Sequence, residues 1–301
     1  DQSINGNGQT LAMLAASSGM NPTAKLSHEI GGLAGIRAIK QLDHKLNEKA
    51  SLDELAEQLL QLSETIRTGK RQYLLVAEAD MIAPTQQNMD KVWQQSAPVA
   101  QGDALALEPI RENTRQAWMT STQVNFCAKA YPTVPADHPD GAALSVLGGF
   151  LRNGFLHRAI REHGGAYGGG ASQDSNIAAF RFYSYRDPRL SETLDDFDKA
   201  IEWLLSSDHG YQPLEEAILG VISSIDKTGS PAGEAKQAFQ SKLFGRDDAF
   251  QQRFRNRALG IQVQDLKRVA ESYLRPELAS VAVISHGPAW DKSKLSGFDV
   301  Q

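Results

Sequence analysis

The order of apolar and polar positions divides the chain into helical and extended stretches. Residues Thr10 to Gly19 and Pro22 to Ala50 favour helix. In SLDELAEQLLQLSETIRTG, Leu52, Leu55, Leu59, Leu60, Leu62 and Ile66 fall mostly on one stripe, which predicts an amphipathic helix behind a Ser51 or Asp53 cap. QYLLVA at 72–77 is short, apolar and bounded by polar residues, the pattern of a buried strand. A helical stretch over 85–96 then leads into SAPVAQGDALALEPIRENT. There Pro98, Gly102, Pro109 and the loss of period predict a linker over 97–115.

Beyond it, QAWMTSTQVNFCAKAY alternates Trp118, Thr120, Thr122, Val124, Phe126 and Ala128 against Ser121, Gln123, Asn125 and Lys129, a half-buried strand. Leu144, Leu147, Leu151 and Phe155 recur at spacings of three and four, so 139–163 reads as a core-facing helix that ends at glycines. IAAFRFYSY at 177–185 returns to strand character. Helical patterns follow over 190–206, 213–226, about 247–259 and 263–274, and SVAVIS at 280–285 is a last apolar strand. The helix from Asp265 feeds SVAVIS as the helix from Asp53 feeds QYLLVA. This echo reads either as a repeated architecture whose first copy lacks its N-terminal strands, or as the helix-then-strand pairing any α+β protein contains.

Composition narrows the classes. A length of 301 residues favours about two domains, and 41% hydrophobic with 22% charged residues fits a water-soluble globular chain. A net charge of -5 gives no broad basic field, so neither nucleic acid nor an anionic membrane is an expected partner. One cysteine, Cys127, forms no internal disulfide and points to a reducing compartment. No apolar run reaches the ~20 residues of a membrane span, and DQSINGNGQT has no signal pattern; the expectation is that this beginning is a cut.

The densest cluster of chemistry-bearing residues is RAIREHGGAYGGG at 158–170. A phosphate loop needs a strand before the glycines and a lysine after them, and a dinucleotide fold needs GxGxxG; neither is present. Gly164 and Gly165 suit a left-handed helix cap, and Gly168 to Gly170 a flexible entry to a strand, which leaves Tyr167 without a role. The seven histidines form no HExxH, HxxEH or i,i+4 pair, and no GxSxG elbow occurs. His138 and Asp140 read as a helix cap, and His157 as a packed or capping side chain.

The run YPTVPADHPDGAALSVLGGFLRNGFLHRAIREHGGAYGGGA, followed by FYSYRDPRL, resembles the last domain of the insulin-degrading-enzyme and pitrilysin family of zinc metallopeptidases, in its presequence protease branch. NGQTLAMLAASSG and the helices after it resemble the later part of that branch's third domain. The resemblance implies an α+β fold of the metallopeptidase LuxS/MPP-like type, with mainly antiparallel sheets packed against helices. Residues 1–96 would be a truncated third domain, mostly helical with one strand, 97–115 a linker, and 116–301 a complete fourth domain. In the full-length protein, four related domains in two halves would close around a peptide-sized chamber.

In such enzymes the N-terminal half holds zinc through HxxEH and a further glutamate, and the last domain contributes an arginine and a tyrosine. The matching residues here are Arg161 and Tyr167, with substrate contacts implied at Gly165, Ala166 and Gly168. A guanidinium and a phenol can donate to the oxyanion that develops in peptide hydrolysis. No zinc motif occurs in these residues, so zinc ligands are expected outside the chain, and none within it. The chain is then the C-terminal part of a longer protease, inactive alone and partnered by its own N-terminal half. Two alternatives are a separate non-metal subunit and a catalytically silent peptide-binding relative. Short unfolded peptides are the implied substrates, in a bacterial cytoplasm or an organelle matrix.

Overall fold

A computed structural model describes residues 2–69, 71–93, 106–226 and 229–301, with side chains from Ile4 onward. The helices are α1 (Gln2–Ser17), α2 (Pro22–Gly31), α3 (Leu33–Lys45), α4 (Lys49–Thr68), α5 (Ala79–Trp93), α6 (Gly141–Leu151), α7 (Ser191–Ser206), α8 (Tyr211–Ile225), α9 (Pro231–Leu243), α10 (Asp248–Leu259), α11 (Val263–Tyr273) and α12 (Gly287–Ser293). A π-helix, Arg152–His163, continues α6. The strands are β1 (Arg115–Met119), β2 (Phe126–Pro132), β3 (Gly168–Asp174), β4 (Ala179–Tyr185), β5 (Ser280–Ser285) and β6 (Asp299–Val300).

Two compact units result, one of Asp1–Ile36, Leu107–Asp226 and Ala249–Gln301, the other of Arg37–Ala106 and Lys227–Asp248. The first contains a six-stranded sheet in the order β3-β4-β2-β5-β1-β6. Its β3–β4, β4–β2 and β2–β5 neighbours run antiparallel, and β5–β1 and β1–β6 parallel. Both faces of its centre are covered, which is why β2 and β5 are buried at every position. Period-2 alternation sorts their side chains. Cys127, Tyr131, Val281 and Val283 join a core with α6, the π-helix, α7 and α11. Phe126, Ala128, Ala282 and Ile284 join a second with Leu11, Ala12, Ala15 and Ala16 of α1.

Several expectations are corrected here. Residues 71–78 form no strand. Among the described residues no strand lies beside them, and a lone extended segment leaves its backbone groups unpaired. The regular structure of the second unit is therefore helical where described, and α4, α5 and α9 bury no residue. The first 36 residues belong with the sheet, not with 37–93, because α1 supplies the apolar cover of one sheet face. Residues 97–105 of the expected linker lie outside the described residues, and 106–114 have no regular structure. The α4 helix starts at Lys49 with Glu48 at its cap, ahead of Ser51 and Asp53.

The strand expected across 116–131 is two strands. The Thr122 hydroxyl donates to the Val124 carbonyl at 3.1 Å, a local bond that draws the chain off the ladder, and β5 pairs between β1 and β2. The helix expected over 139–163 changes to π-type winding at Arg152. Gly168 to Gly170 are not a flexible entry but the first residues of β3. A Cβ at Gly169 would stand 2.9 Å from Ile160 Cγ2, and one at Gly170 3.0 Å from Arg152 Cδ, so bare backbone lets the π-helix lie close on the strand.

Candidate functional site

Arg161 and Tyr167 flank the turn from the π-helix into β3. Alternate demands shape this stretch. Leu156 and Ile160 are fully buried and anchor the π-helix on the sheet, while Arg161 and Glu162 face solvent. The Arg161 carbonyl accepts the N–H groups of Gly164 and Gly165, and the Ile160 carbonyl accepts that of Ala166, at 3.1 Å for the last two. Gly165 has φ +77°, the left-handed cap expected for a glycine here, whereas Gly164 stays right-handed at φ -81°. Ala166 turns inward, 4% exposed, so the chain emerges again at Tyr167, whose side chain is 67% exposed.

The Tyr167 ring is nevertheless supported. It meets the Tyr185 ring edge to face with centroids 5.3 Å apart, and its N–H donates to the Tyr185 carbonyl at 3.1 Å. Gly168 pairs with Tyr185 at the start of the β3–β4 ladder. Arg161 and Tyr167 are each exposed, one a guanidinium and one a phenol donor, at the ends of a turn in which the N–H groups of Gly164, Gly165 and Ala166 are bonded internally. Either group is a donor of the kind that can bind a carbonyl oxygen gaining negative charge.

The other candidates have structural roles. Cys127 is completely buried in β2, and burial first, then the nearby Asp187 carboxylate, push its thiol pKa far up, so it is no nucleophile. Asp140 takes the cap position of α6 and His138 lies in the turn before it, but the Asp140 side chain makes no cap bond. It instead accepts from Arg268 Nη2 at 2.7 Å and from the Tyr273 hydroxyl at 2.8 Å, tying α11 to the head of α6. The Arg268 bond holds the Asp140 carboxyl below the usual carboxylate range, while burial, and then its own hydrogen bond to Asp140, push the Tyr273 phenol up to about 12. His157 stands half-exposed 3.4 Å from Glu162. Among the described residues no group of three or more His, Cys, Asp or Glu could hold a metal ion. No helix among the described residues is long and apolar enough to cross a membrane.

Sequence reasoning missed the buried polar corner at Asn125 and Asp187, both at most 2% exposed. Its only signal was RDP directly after an apolar strand, which reads equally as an ordinary turn.

The family model described as the PreP C-terminal domain matches residues 115–284. "Presequence protease, mitochondrial" of Yarrowia lipolytica is 33% identical over 294 residues, covering 95% of this chain and 29% of that protein. The protein of the same name in Xenopus laevis is 39% identical over 154 residues, covering 51% of this chain and 15% of its own length. The chain thus spans less than a third of the curated relatives it matches. Among solved structures, the peptidase M16 inactive domain from Pseudomonas fluorescens superposes with a TM-score of 0.52 at 16% identity, over 70% of this chain and 52% of that one, a likeness of fold. By the matched model and the extent of these relatives, the chain belongs to the PreP C-terminal domain family.

Proposed function

We propose that the chain is the C-terminal, non-zinc-binding part of a zinc metalloendopeptidase that degrades short unfolded peptides inside a closed chamber. Support comes from relatives named presequence proteases that are matched over nearly the whole chain and are more than three times as long as the matched part. The observation that carries the reading is that Arg161 and Tyr167 are both exposed, on either side of the ordered turn from the π-helix into β3. In this role the two side chains donate hydrogen bonds to the peptide oxyanion, and the glycine-lined backbone at Gly165, Ala166 and Gly168 lies along the substrate. Zinc and the groups that activate water belong to the preceding part of the protein, which is also the partner of this domain. A mitochondrial location accompanies the reading, since the relatives carry it in their names.

The isolated chain is expected to hold no stoichiometric zinc and to cleave no peptide, while the same domain in the full-length polypeptide takes part in cleavage. Elemental analysis of the isolated chain is the check. About one tightly bound zinc per chain would overturn the division of labour.

A further inference from the structure

The stretch Tyr185 to Arg189 lies beneath the Arg161–Tyr167 turn, almost residue against residue. Tyr167 N–H donates to the carbonyls of Tyr185 at 3.1 Å and Arg186 at 3.4 Å. A Cβ at Gly165 would stand 3.7 Å from Pro188 Cγ, and one at Gly164 would run into the Arg189 guanidinium and stand 2.5 Å from the Ile160 carbonyl oxygen. Arg189 Nη2 also reaches the Ala159 carbonyl of the π-helix at 3.3 Å and Asp196 Oδ2 at 3.0 Å. Whatever fixes the path of 185–189 therefore fixes where the turn carries Tyr167.

That path is held by a buried polar node. Arg186 adopts φ +49°, an uncommon conformation for a non-glycine residue that needs its surroundings to hold it. Asp187, 0% exposed, accepts from Arg189 N–H at 2.9 Å and from the Thr193 hydroxyl at 2.7 Å. Asn125 and Asp187 exchange both backbone bonds at 2.8 Å, and Asn125 Nδ2 adds a third to the Asp187 carbonyl at 3.0 Å. The Ser285 hydroxyl at the end of β5 donates to Asn125 Oδ1 at 2.7 Å. Burying a carboxylate is costly, and apolar residues would fill such space more cheaply; what the node offers is one geometry with its polar partners in place.

We propose that the Asp187 node, with Thr193 and Asn125, is a positioning device that holds the 185–189 corner and through it aims the Tyr167 side chain at the reacting carbonyl. The role rests on the reading of Tyr167 given under Proposed function. Asp187 and Thr193 touch no substrate in this scheme; they act through the Tyr185 and Arg186 carbonyls and the edge-to-face ring contact.

The test is a double-mutant cycle in the full-length polypeptide, with kcat and KM read on a peptide whose chemical step is rate-limiting. Thr193→Val removes one hydroxyl and is expected to lower kcat on the order of 10- to 100-fold, the scale of a misplaced group, with KM nearly unchanged. Thr193→Ser restores the hydroxyl and most of the rate. In a Tyr167→Phe background, Thr193→Val should cost nothing further in kcat, because the group it aims is already gone. An equal fold-loss in both backgrounds, or an unchanged kcat for Thr193→Val, overturns the positioning role while leaving Tyr167 its own. A Tyr167→Phe enzyme as fast as the parent overturns the oxyanion reading itself and the role built on it. Should Thr193→Val fail to fold, the near-isosteric Asp187→Asn is read in the same cycle with the same outcomes.

Discussion

QYLLVA at 72–77 and SVAVIS at 280–285 look alike in sequence, and each follows an amphipathic helix, yet their fates differ. SVAVIS becomes β5, buried at all six positions and paired with β2 on one side and β1 on the other. QYLLVA pairs with no strand among the described residues, and its Tyr73, Leu74 and Val76 are 47%, 41% and 44% exposed. The difference teaches that an apolar run supplies side chains for a strand but not its hydrogen-bond partners, which must come from elsewhere in the chain. Tyr73 instead packs at 5.8 Å from the Trp93 ring, with Arg71 stacked over the same ring at 4.4 Å.

The contrast can be broken by charge. Val283→Asp puts a carboxylate into the core shared by β5 and the helices, and should cost on the order of 4 kcal/mol or more, enough to unfold the sheet unit in chemical denaturation. A Val283→Asp protein of parental stability would mean that SVAVIS is not the centre of the sheet.

A smaller effect sharpens the comparison at the helix that feeds β5. Asp140 anchors α11, and its folded pKa lies below the ordinary 3.8. The stability it contributes is therefore present above that value and is lost as pH falls through the lowered pKa. Asp140→Asn should cost about 1 kcal/mol at neutral pH, and should flatten the acid side of the stability curve below the ordinary aspartate value. Parallel pH curves for the two proteins would remove Asp140 from the account. The smallest effect belongs to the other run: Val76→Thr, in the exposed segment, should stay within about 0.5 kcal/mol of the parent in the same denaturation assay.

Most helices and strand β5 were legible because side-chain period decides them, whereas α9, α12 and the two-residue β6 were not foreseen. Leu144, Leu147 and Leu151 mark α6, and Leu266, Val269 and Ala270 mark α11, all of them buried. Pairing was not legible. Nothing in QAWMTSTQVNFCAKAY announces that β5, about 150 residues later in the chain, takes the place between its two halves. Nor did glycine chemistry reveal β3, since three glycines in a row lower strand propensity, and only the approach of Ile160 and Arg152 gives them a reason to be there. At the candidate site, the spacing of Arg161 and Tyr167 was visible as a motif, while the corner that carries the turn joins Asn125, Asp187, Thr193 and Ser285 across 160 residues of sequence. A polar residue in a strand or loop reads as solvated until its burial is known.

The central claim is that Tyr167 contributes a hydrogen bond to the transition state of peptide hydrolysis. Its most direct test is kcat of Tyr167→Phe in the full-length polypeptide, with folding and zinc content checked against the parent. The account predicts a fall on the order of 10²- to 10³-fold, about 3–4 kcal/mol, with both controls unchanged. A kcat within about twofold of the parent, well under the 1.4 kcal/mol of a tenfold change, would contradict it.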